Sequence, residues 1–462
     1  MNLIEKIVSK QAIVSVVGLG YVGLPLAVAF TEAGFCVIGV DTDQNRVSAV
    51  THGESYLQDV PSQRLKPLVS KTESEWREVA MGPRVSTSRL AKMWATTEST
   101  ALSTADVVVV CVPTPLDATR NPDVSFIVSA TGDISANLHR EMLIVLESTT
   151  YPGTTEEIVL PQLQNSEGTK FEVGKDFFLA FSPERIDPGR TDWTVSNIPK
   201  VIGGVTDRCT EAATALYRCI VNQVMAVSSP KTAEMVKLLE NTFRATNIGL
   251  INETAMICDK LEIDIWEVIA AAQTKPFGYM PFFPGPGLGG HCIPVDPQFL
   301  AWKLRSMNYE AKFIQLADEI NSGMPAYWVS KVVEALDNKA IPVDGADILV
   351  IGVSYKRDID DTRESPALDI IDLLLRKSAR VSYYDPHVPK AIVNGRQLMS
   401  LSESEWQRRL ESADCVLITT DHSVFDWRQI KDSASLIVDT RNALGNLDKK
   451  ISPAVNAIDS EA

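Results

Sequence analysis

The chain is poor in the residues that build metal sites and disulfide frameworks. Histidine occurs five times, at 52, 139, 291, 387 and 422, with no HExxH or HxxxH pair. Spacing therefore gives no support for a metal site. Cysteine occurs seven times, at 36, 111, 209, 219, 258, 292 and 415. The number is odd, the spacing is wide and CxxC is absent, which argues against disulfides and structural zinc and points to the cytoplasm. No run of five basic residues exists, and 44 Lys and Arg stand against 59 Asp and Glu, a net charge of −15. A duplex nucleic acid or an anionic membrane surface is excluded as a partner on that balance. Long uncharged stretches are also scarce. Residues 11–31 form one, long enough for a membrane helix or a signal peptide. Gly18, Gly20, Gly23 and Pro25 interrupt it, and Glu5 sits where a leader would be positive. No clean small-residue cleavage site follows, so the stretch reads as part of a soluble domain.

What is present is ordinary globular material in quantity. The 462 residues are 45% hydrophobic and 22% charged, enough for two or three domains. Residues 12–17 (AIVSVV) suit a buried parallel strand. They run into Gly18, Gly20 and Gly23, a GxGxxG turn, and residues 24–33 read as a helix stopped by Gly34. Residues 36–40 (CVIGV) are a second strand, ending at Asp41. Strand, GxGxxG, helix, strand and acid together form the dinucleotide fingerprint. Gly18 permits the tight turn, Gly20 lets the backbone approach a pyrophosphate, and Gly23 allows close helix–strand packing. The helix N-terminus then faces the anion. Asp41 can accept both ribose hydroxyls of adenosine. With Asp43 it would repel a 2′-phosphate, so NAD is favoured over NADP.

Three further apolar runs, 105–112, 142–146 and 177–181, end in polar or proline-containing residues. Ligands of open parallel sheets bind beyond the carboxyl ends of the strands, which places Thr114, Thr149 and Glu184 at one crevice. Taken singly, each Thr is equally a satisfied turn hydroxyl. Ser229 and Pro230 start a helix of about 28 residues, whose span is about 40 Å. On it Lys237 and Asn241 share a face that Arg244 extends. Lys237 can donate to a developing oxyanion and Asn241 can orient a hydroxyl or water. Both could also be ordinary polar surface. Residues 275–296 hold five glycines and five prolines among aromatics, a rigid, partly buried loop. In it Cys292 follows Gly289 and Gly290, introduces a short helical segment and has room for substrate beside it. Asp296 is placed to orient a water or Lys237. The other six cysteines read as packing.

At these residues the sequence resembles the nucleotide-sugar 6-dehydrogenases, the family that includes UDP-glucose and GDP-mannose dehydrogenases. The resemblance covers nearly the whole chain. It rests on Gly18–Gly23, Pro113-Thr114-Pro115, Ser148-Thr149, Ser182-Pro183-Glu184, Lys237 with Asn241, Gly289-Gly290-His291-Cys292 with Asp296, and the run from Tyr355-Lys356 to Ser365. The details at 182–189 and 284–294 look most like the branch acting on UDP-N-acetylglucosamine; a related branch uses UDP-N-acetylmannosamine. The implied fold is α/β: two Rossmann-like parallel-sheet domains joined by a long-helix dimerisation segment. The implied division is 1–208 for NAD, 209–328 for the helical segment with the Cys loop, and 329–462 for the UDP-sugar. The C-terminal runs 347–352, 380–384, 414–418 and 436–438 read independently as strands. Ala413-Asp414 echoes Ala105-Asp106, which suggests two related sheets, although the second lacks GxGxxG. Beyond Gly445 the polar tail is expected to fray.

The resemblance also implies a reaction: oxidation of the C6 alcohol of a UDP-sugar to a carboxylate with two NAD and one water, for surface polysaccharide precursors. Cys292 is the nucleophile, passing through a thiohemiacetal and a thioester. Glu184 acts as general base, Lys237 and Asn241 stabilise oxyanions, and Asp296 and Thr149 order the water. Tyr21, Val22, Asp41, Arg46, Thr114, Thr149 and Arg363 join the glycines at the cofactor. Glu184, Arg185, Ile186, Lys237, Asn241, Arg244, Gly289, Tyr355 and Lys356 contact the substrate, and a homodimer or higher homo-oligomer is expected. Arg363 has a plainer reading as a surface ion pair within the acid-rich run 358–364. Two alternatives share parts of this plan. A 6-phosphogluconate-type dehydrogenase needs no cysteine and releases one NADH per substrate. A non-catalytic NAD- or nucleotide-sugar-binding regulator would release none.

Overall fold

The computed structural model describes residues 1–57, 59–82, 92–117, 119–165, 170–186 and 193–445. Two compact units divide the chain at Leu239 and Glu240. Residues 187–189 of the 182–189 motif and the tail beyond Gly445 lie outside the described residues.

The first unit is built on eight strands: β1 (Ile13–Val17), β2 (Cys36–Val40), β3 (Met93–Thr96), β4 (Val107–Val110), β5 (Met142–Leu146), β6 (Phe177–Phe181), β7 (Lys200–Gly204) and β8 (Val224–Val227). They form one sheet in the order β3-β2-β1-β4-β5-β6-β7-β8. All neighbours are parallel except β6 and β7. The β-branched runs of β2, β4 and β5 are buried along their whole length, as strands covered on both faces require. Two apolar clusters cover those faces, one around Phe30, Phe35 and Leu216, the other around Trp76, Ile127 and Leu163. Strand order reverses between β1 and β4, the switch point at which doubly wound sheets bind nucleotides. The uncharged stretch 11–31 is thus a strand, a glycine turn and the helix Gly23–Glu32. No helix among the described residues is long and apolar enough to cross a membrane.

The second unit has helices Ile265–Ala272, Asp296–Arg305 and Lys312–Asp337, then a parallel sheet. Its strands are β9 (Asp347–Ile351), β10 (Arg380–Tyr384), β13 (Cys415–Ile418) and β14 (Ile437–Asp439), in the order β10-β9-β13-β14. A hairpin of β11 (Lys390–Val393) and β12 (Arg396–Met399) stands apart from that sheet. The long helix runs 31 residues, Pro230–Lys260, and the division between the units falls within it.

The echo between Ala105-Asp106 and Ala413-Asp414 has a physical basis. Asp106 N–H donates to Ile13 O, and its carboxylate accepts the Ile13 amide at 2.9 Å. Asp414 N–H donates to Asp347 O, and its carboxylate accepts the Asp347 amide at 2.7 Å. Each carboxylate therefore completes the ladder at the start of the central strand, where a main-chain donor would otherwise lack an acceptor. Replacing Asp106 with Ala should lower the stability of the first unit by about 1–3 kcal/mol in urea unfolding. An unchanged midpoint would show that water serves the Ile13 amide equally well.

Candidate active site

The glycine turn after β1 has the shape of a phosphate cradle. Gly18 holds φ +92°, and a Cβ there would lie 2.6 Å from the Cys111 carbonyl oxygen. A Cβ on Gly23 would lie 1.8 Å from the Gly18 oxygen, so only glycine lets the helix start so close to the strand. Gly20 is different: nothing lies within 4 Å of the Cβ position. That open space over the turn is what a pyrophosphate needs. The helix behind it has no side-chain cap at Val22, so no side chain competes with an anion for its first turn. Tyr21 is exposed beside it. These residues fit NAD.

Asp41 ends β2 and is buried. Its carboxylate accepts the amides of Leu19 at 2.7 Å and Asp43 at 2.8 Å, and Arg46 approaches at 3.4 Å. Tyr56, which sequence reasoning missed, donates its hydroxyl to Leu19 O at 2.5 Å. Burial and the Asp41 charge push that phenol up, so it stays a donor. Thr114 is buried after β4, and Thr149 is half-buried after β5. Next to it, Ser148 donates to Val112 O at 2.8 Å, tying the ends of β4 and β5 together.

At the ends of β5 and β6 the structure gathers a buried charge cluster. Glu184 Oε1 accepts the amides of Arg185 at 2.6 Å and Ile186 at 2.7 Å. Its Oε2 accepts Lys200 Nζ at 2.9 Å, and Lys200 also reaches Glu147 Oε2 at 2.8 Å. Tyr217 donates to the other oxygen of Glu147. Burial alone would raise Glu184, but Lys200 and the Ile186 amide hold it below the usual carboxylate range. Burial likewise pushes Glu147 up, with Lys200 opposing. Lys200, facing two carboxylates, is held protonated against its own burial. Arg185 turns its guanidinium to Pro199 O at 2.8 Å. Lys237 donates to the main-chain oxygen of Glu184 at 2.6 Å. Glu234, one turn before Lys237, is buried and accepts the amides of Gly153 and Thr155, fixing the loop after Thr149. Glu147, Lys200, Tyr217 and Glu234 carry no motif signal, and sequence reasoning missed them.

In the second unit, Asn241 donates to Asp296 Oδ2 at 2.5 Å, and both are buried. Asp296 opens the helix Asp296–Arg305, and its amide and that of Val295 donate to the Cys292 carbonyl oxygen. Cys292 is therefore held one turn before a helix N-terminus, half-buried. Asp296 thus serves Asn241. The room expected beside the glycine pair is occupied. A Cβ on Gly289 would meet Tyr355 Cβ at 2.4 Å, and one on Gly290 would meet the Tyr355 ring at 2.8 Å. The glycines are small because Tyr355 packs against them, so they reach a ligand only through main-chain atoms. Gly290 N–H donates to Arg363 O at 3.0 Å. The Arg363 guanidinium pairs with Asp361 at 2.6 Å, the surface-pair alternative, and its side chain is 44% exposed. Lys356 is buried and Arg244 half-buried. Of the six other cysteines, five are buried and Cys219 is half-buried.

Sequence spacing also conceals one meeting of histidines. Asp358, His387 and His422 bring potential ligand atoms within 4.8 Å of one another. Hydrogen bonds already use the His422 ring: Nδ1 accepts the Asp358 amide at 2.9 Å and Nε2 faces Asp385 Oδ2 at 3.1 Å. Both of its ring nitrogens are thus engaged within the fold.

Comparison with known proteins gives the family. Three models of the UDP-glucose/GDP-mannose dehydrogenase family match: the NAD binding domain over residues 12–221, the central domain over 231–323 and the UDP binding domain over 349–446. The chain is 38% identical over 380 residues to a UDP-N-acetyl-D-glucosamine 6-dehydrogenase of Pseudomonas aeruginosa, covering 82% of this chain and 84% of that protein. It is 33% identical over 443 residues to a UDP-N-acetyl-D-mannosamine dehydrogenase of Methanococcus maripaludis, covering 93% of each. A solved UDP-D-ManNAc dehydrogenase from Pyrococcus horikoshii superposes with a TM-score of 0.80 at 33% identity, covering 96% of this chain and 97% of the other. The chain belongs to the UDP-glucose/GDP-mannose dehydrogenase family and is an NAD-dependent UDP-sugar dehydrogenase.

Proposed function

We propose that this enzyme oxidises the C6 alcohol of UDP-N-acetylglucosamine to the carboxylate, through a thioester on Cys292. The observation that carries the reading is the seat of Cys292, ahead of a helix N-terminus and beside the buried Asn241–Asp296 pair. The thiolate is the form that attacks carbon. NAD, when bound over Gly20, supplies the acceptor for hydride at each of the two oxidations. Cys292 adds to the aldehyde carbon and holds it as a thiohemiacetal, whose oxidation leaves a thioester; water then cleaves that bond and returns the thiol. Lys237 and Asn241 stabilise the developing oxyanion. Glu184, kept ionised, takes a proton from the thiol or the water, and Asp296 and Thr149 order that water. Arg185, Ile186, Arg244, Gly289, Tyr355 and Lys356 hold the sugar nucleotide, and Arg46, Thr114 and Arg363 the cofactor. The three-part division 1–208, 209–328 and 329–462, a cytoplasmic location and a role in surface polysaccharide precursors belong to the same proposal. The similarity to mannosamine dehydrogenases favours UDP-N-acetylmannosamine as a second reading.

We also propose a homodimer. Phe243, Leu250, Ile257 and Leu261 form a stripe along the long helix, and Leu250 is 59% exposed. Apolar residues at that spacing, left open, mark a face that a second copy covers. Light scattering should give twice the chain mass for the wild type and the chain mass for Leu250→Glu/Ile257→Glu. A wild-type monomer would contradict it.

NADH release should be measured with UDP-N-acetylglucosamine, UDP-N-acetylmannosamine, UDP-glucose and GDP-mannose. Two NADH per UDP-N-acetylglucosamine, with the highest kcat/KM, is expected. One NADH per sugar would remove the cysteine mechanism, and none with any sugar would leave a binding protein. Cys292→Ala should abolish net four-electron oxidation and leave NAD affinity nearly unchanged. Gly20→Val should keep the fold but weaken NAD binding by about tenfold or more, about 1.4 kcal/mol, because its side chain fills the space over the turn. Unchanged NAD affinity in that variant would move the pyrophosphate elsewhere.

A further inference from the structure

The cluster behind Glu184 contains a cation that the proposed reaction does not use. We infer that Lys200 is a positioning residue for the dehydrogenase reaction: it ties Glu184 to Glu147 and supplies the charge that keeps Glu184 a carboxylate. The inference rests on the role proposed for Glu184 and adds a partner to it.

The topology produces this contact. β5 and β6 are parallel, so Glu147 and Glu184 leave the sheet at the same edge. β7 runs antiparallel to β6, so its first residue, Lys200, starts at that edge. A parallel β7 would begin at the opposite edge. Lys200 is buried and spans the two carboxylates at 2.8 and 2.9 Å. Two carboxylates this close cannot both stay ionised in an apolar setting without a cation between them.

The neighbouring titratable groups do not replace it. Tyr217, from the helix Asp207–Tyr217, donates to Glu147 and faces Lys200 with its ring at 5.3 Å. Burial keeps it a neutral phenol. Cys111, after β4, is raised by burial and by Glu147, so it stays a thiol. Lys237, from the long helix, donates to the Glu184 main-chain oxygen, and its charge also lowers Glu184, but by less than Lys200 does. Arg185 spends a guanidinium hydrogen bond on Pro199 O. Without Lys200 one proton would bind the pair, and Glu184 could accept a substrate proton only at higher pH.

The test is the acid limb of the kcat/KM pH profile with UDP-N-acetylglucosamine and NAD. In Lys200→Met the limb should move up by about one pH unit or more, which is about a tenfold loss at a fixed pH on the limb. Lys200→Arg should return it toward the wild-type position. Lys200→Met alone buries two unpaired carboxylates, so Lys200→Met/Glu147→Gln is measured alongside it as the variant that retains the fold. In that variant Glu184 has lost the Lys200 charge and hydrogen bond but no longer faces a second carboxylate. Its limb should therefore rise by less than in Lys200→Met and still lie above the wild type, whereas a merely structural Lys200 would give a folded double variant with the wild-type profile. A wild-type limb in either Met variant overturns the inference. Glu184→Gln is the control: loss of steady-state turnover supports the role of Glu184, and full turnover removes that role and the inference with it.

Discussion

Buried or half-buried carboxylates that accept main-chain amides hold the loops on which the chemistry depends. An interior carboxylate must be given donors, and a loop amide pulled from water must be given an acceptor. In this chain the two needs meet repeatedly. Asp41 receives Leu19 and Asp43, Glu184 receives Arg185 and Ile186, and Glu234 receives Gly153 and Thr155. Asp385 receives Val353, Ser354, His387 and Val388. The acidic excess of the sequence is thus partly structural. It also explains why a net charge of −15 does not repel anionic ligands: the cradle at Gly20 is made of amides and open space, not of side-chain charge.

The two parallel sheets repeat one local design with different outcomes. Gly18 and Gly352 both follow the central strand with positive φ, and each donates its amide to the end of the neighbouring strand, Val40 and Tyr384. Asp41 accepts the Leu19 amide, and Asp385 accepts the Val353 amide, both at 2.7 Å. The turns then diverge. After Gly18 come Gly20, which leaves space for a pyrophosphate, and Gly23, which lets the helix start close to the strand. After Gly352 come Ser354, Tyr355 and Lys356, and His422 bonds to Asp385. The second sheet keeps the carboxylate but not the dinucleotide cradle, in line with its match to a UDP binding domain.

Much of this was legible in the sequence, because β-branched runs and glycine turns leave local signals. β1, β2, β4, β5, β6, β9, β10, β13 and β14, and the start of the long helix at Pro230, follow from periodicity and caps. β7 and β8 do not: β7 carries two glycines, and β8 is half-open to solvent. The site was legible where a motif fixes geometry by itself, as at Gly18 and Gly23. It was not legible where a residue matters through a distant partner. Lys200 is an ordinary lysine until the reversal of β7 brings it to Glu184. Tyr355 gives no sign that it fills the space beside Gly289, and His387 and His422 meet only once the second sheet is formed.

The account stands on a covalent bond between Cys292 and the sugar carbon. Peptide mapping by mass spectrometry tests this most directly, on Glu184→Gln enzyme acid-quenched during its first turnover with UDP-N-acetylglucosamine and NAD. The variant should slow thioester cleavage, so the peptide containing Cys292 should carry the UDP-sugar acyl group. An unmodified Cys292 peptide, in a wild-type enzyme that still yields two NADH per sugar, would contradict the account.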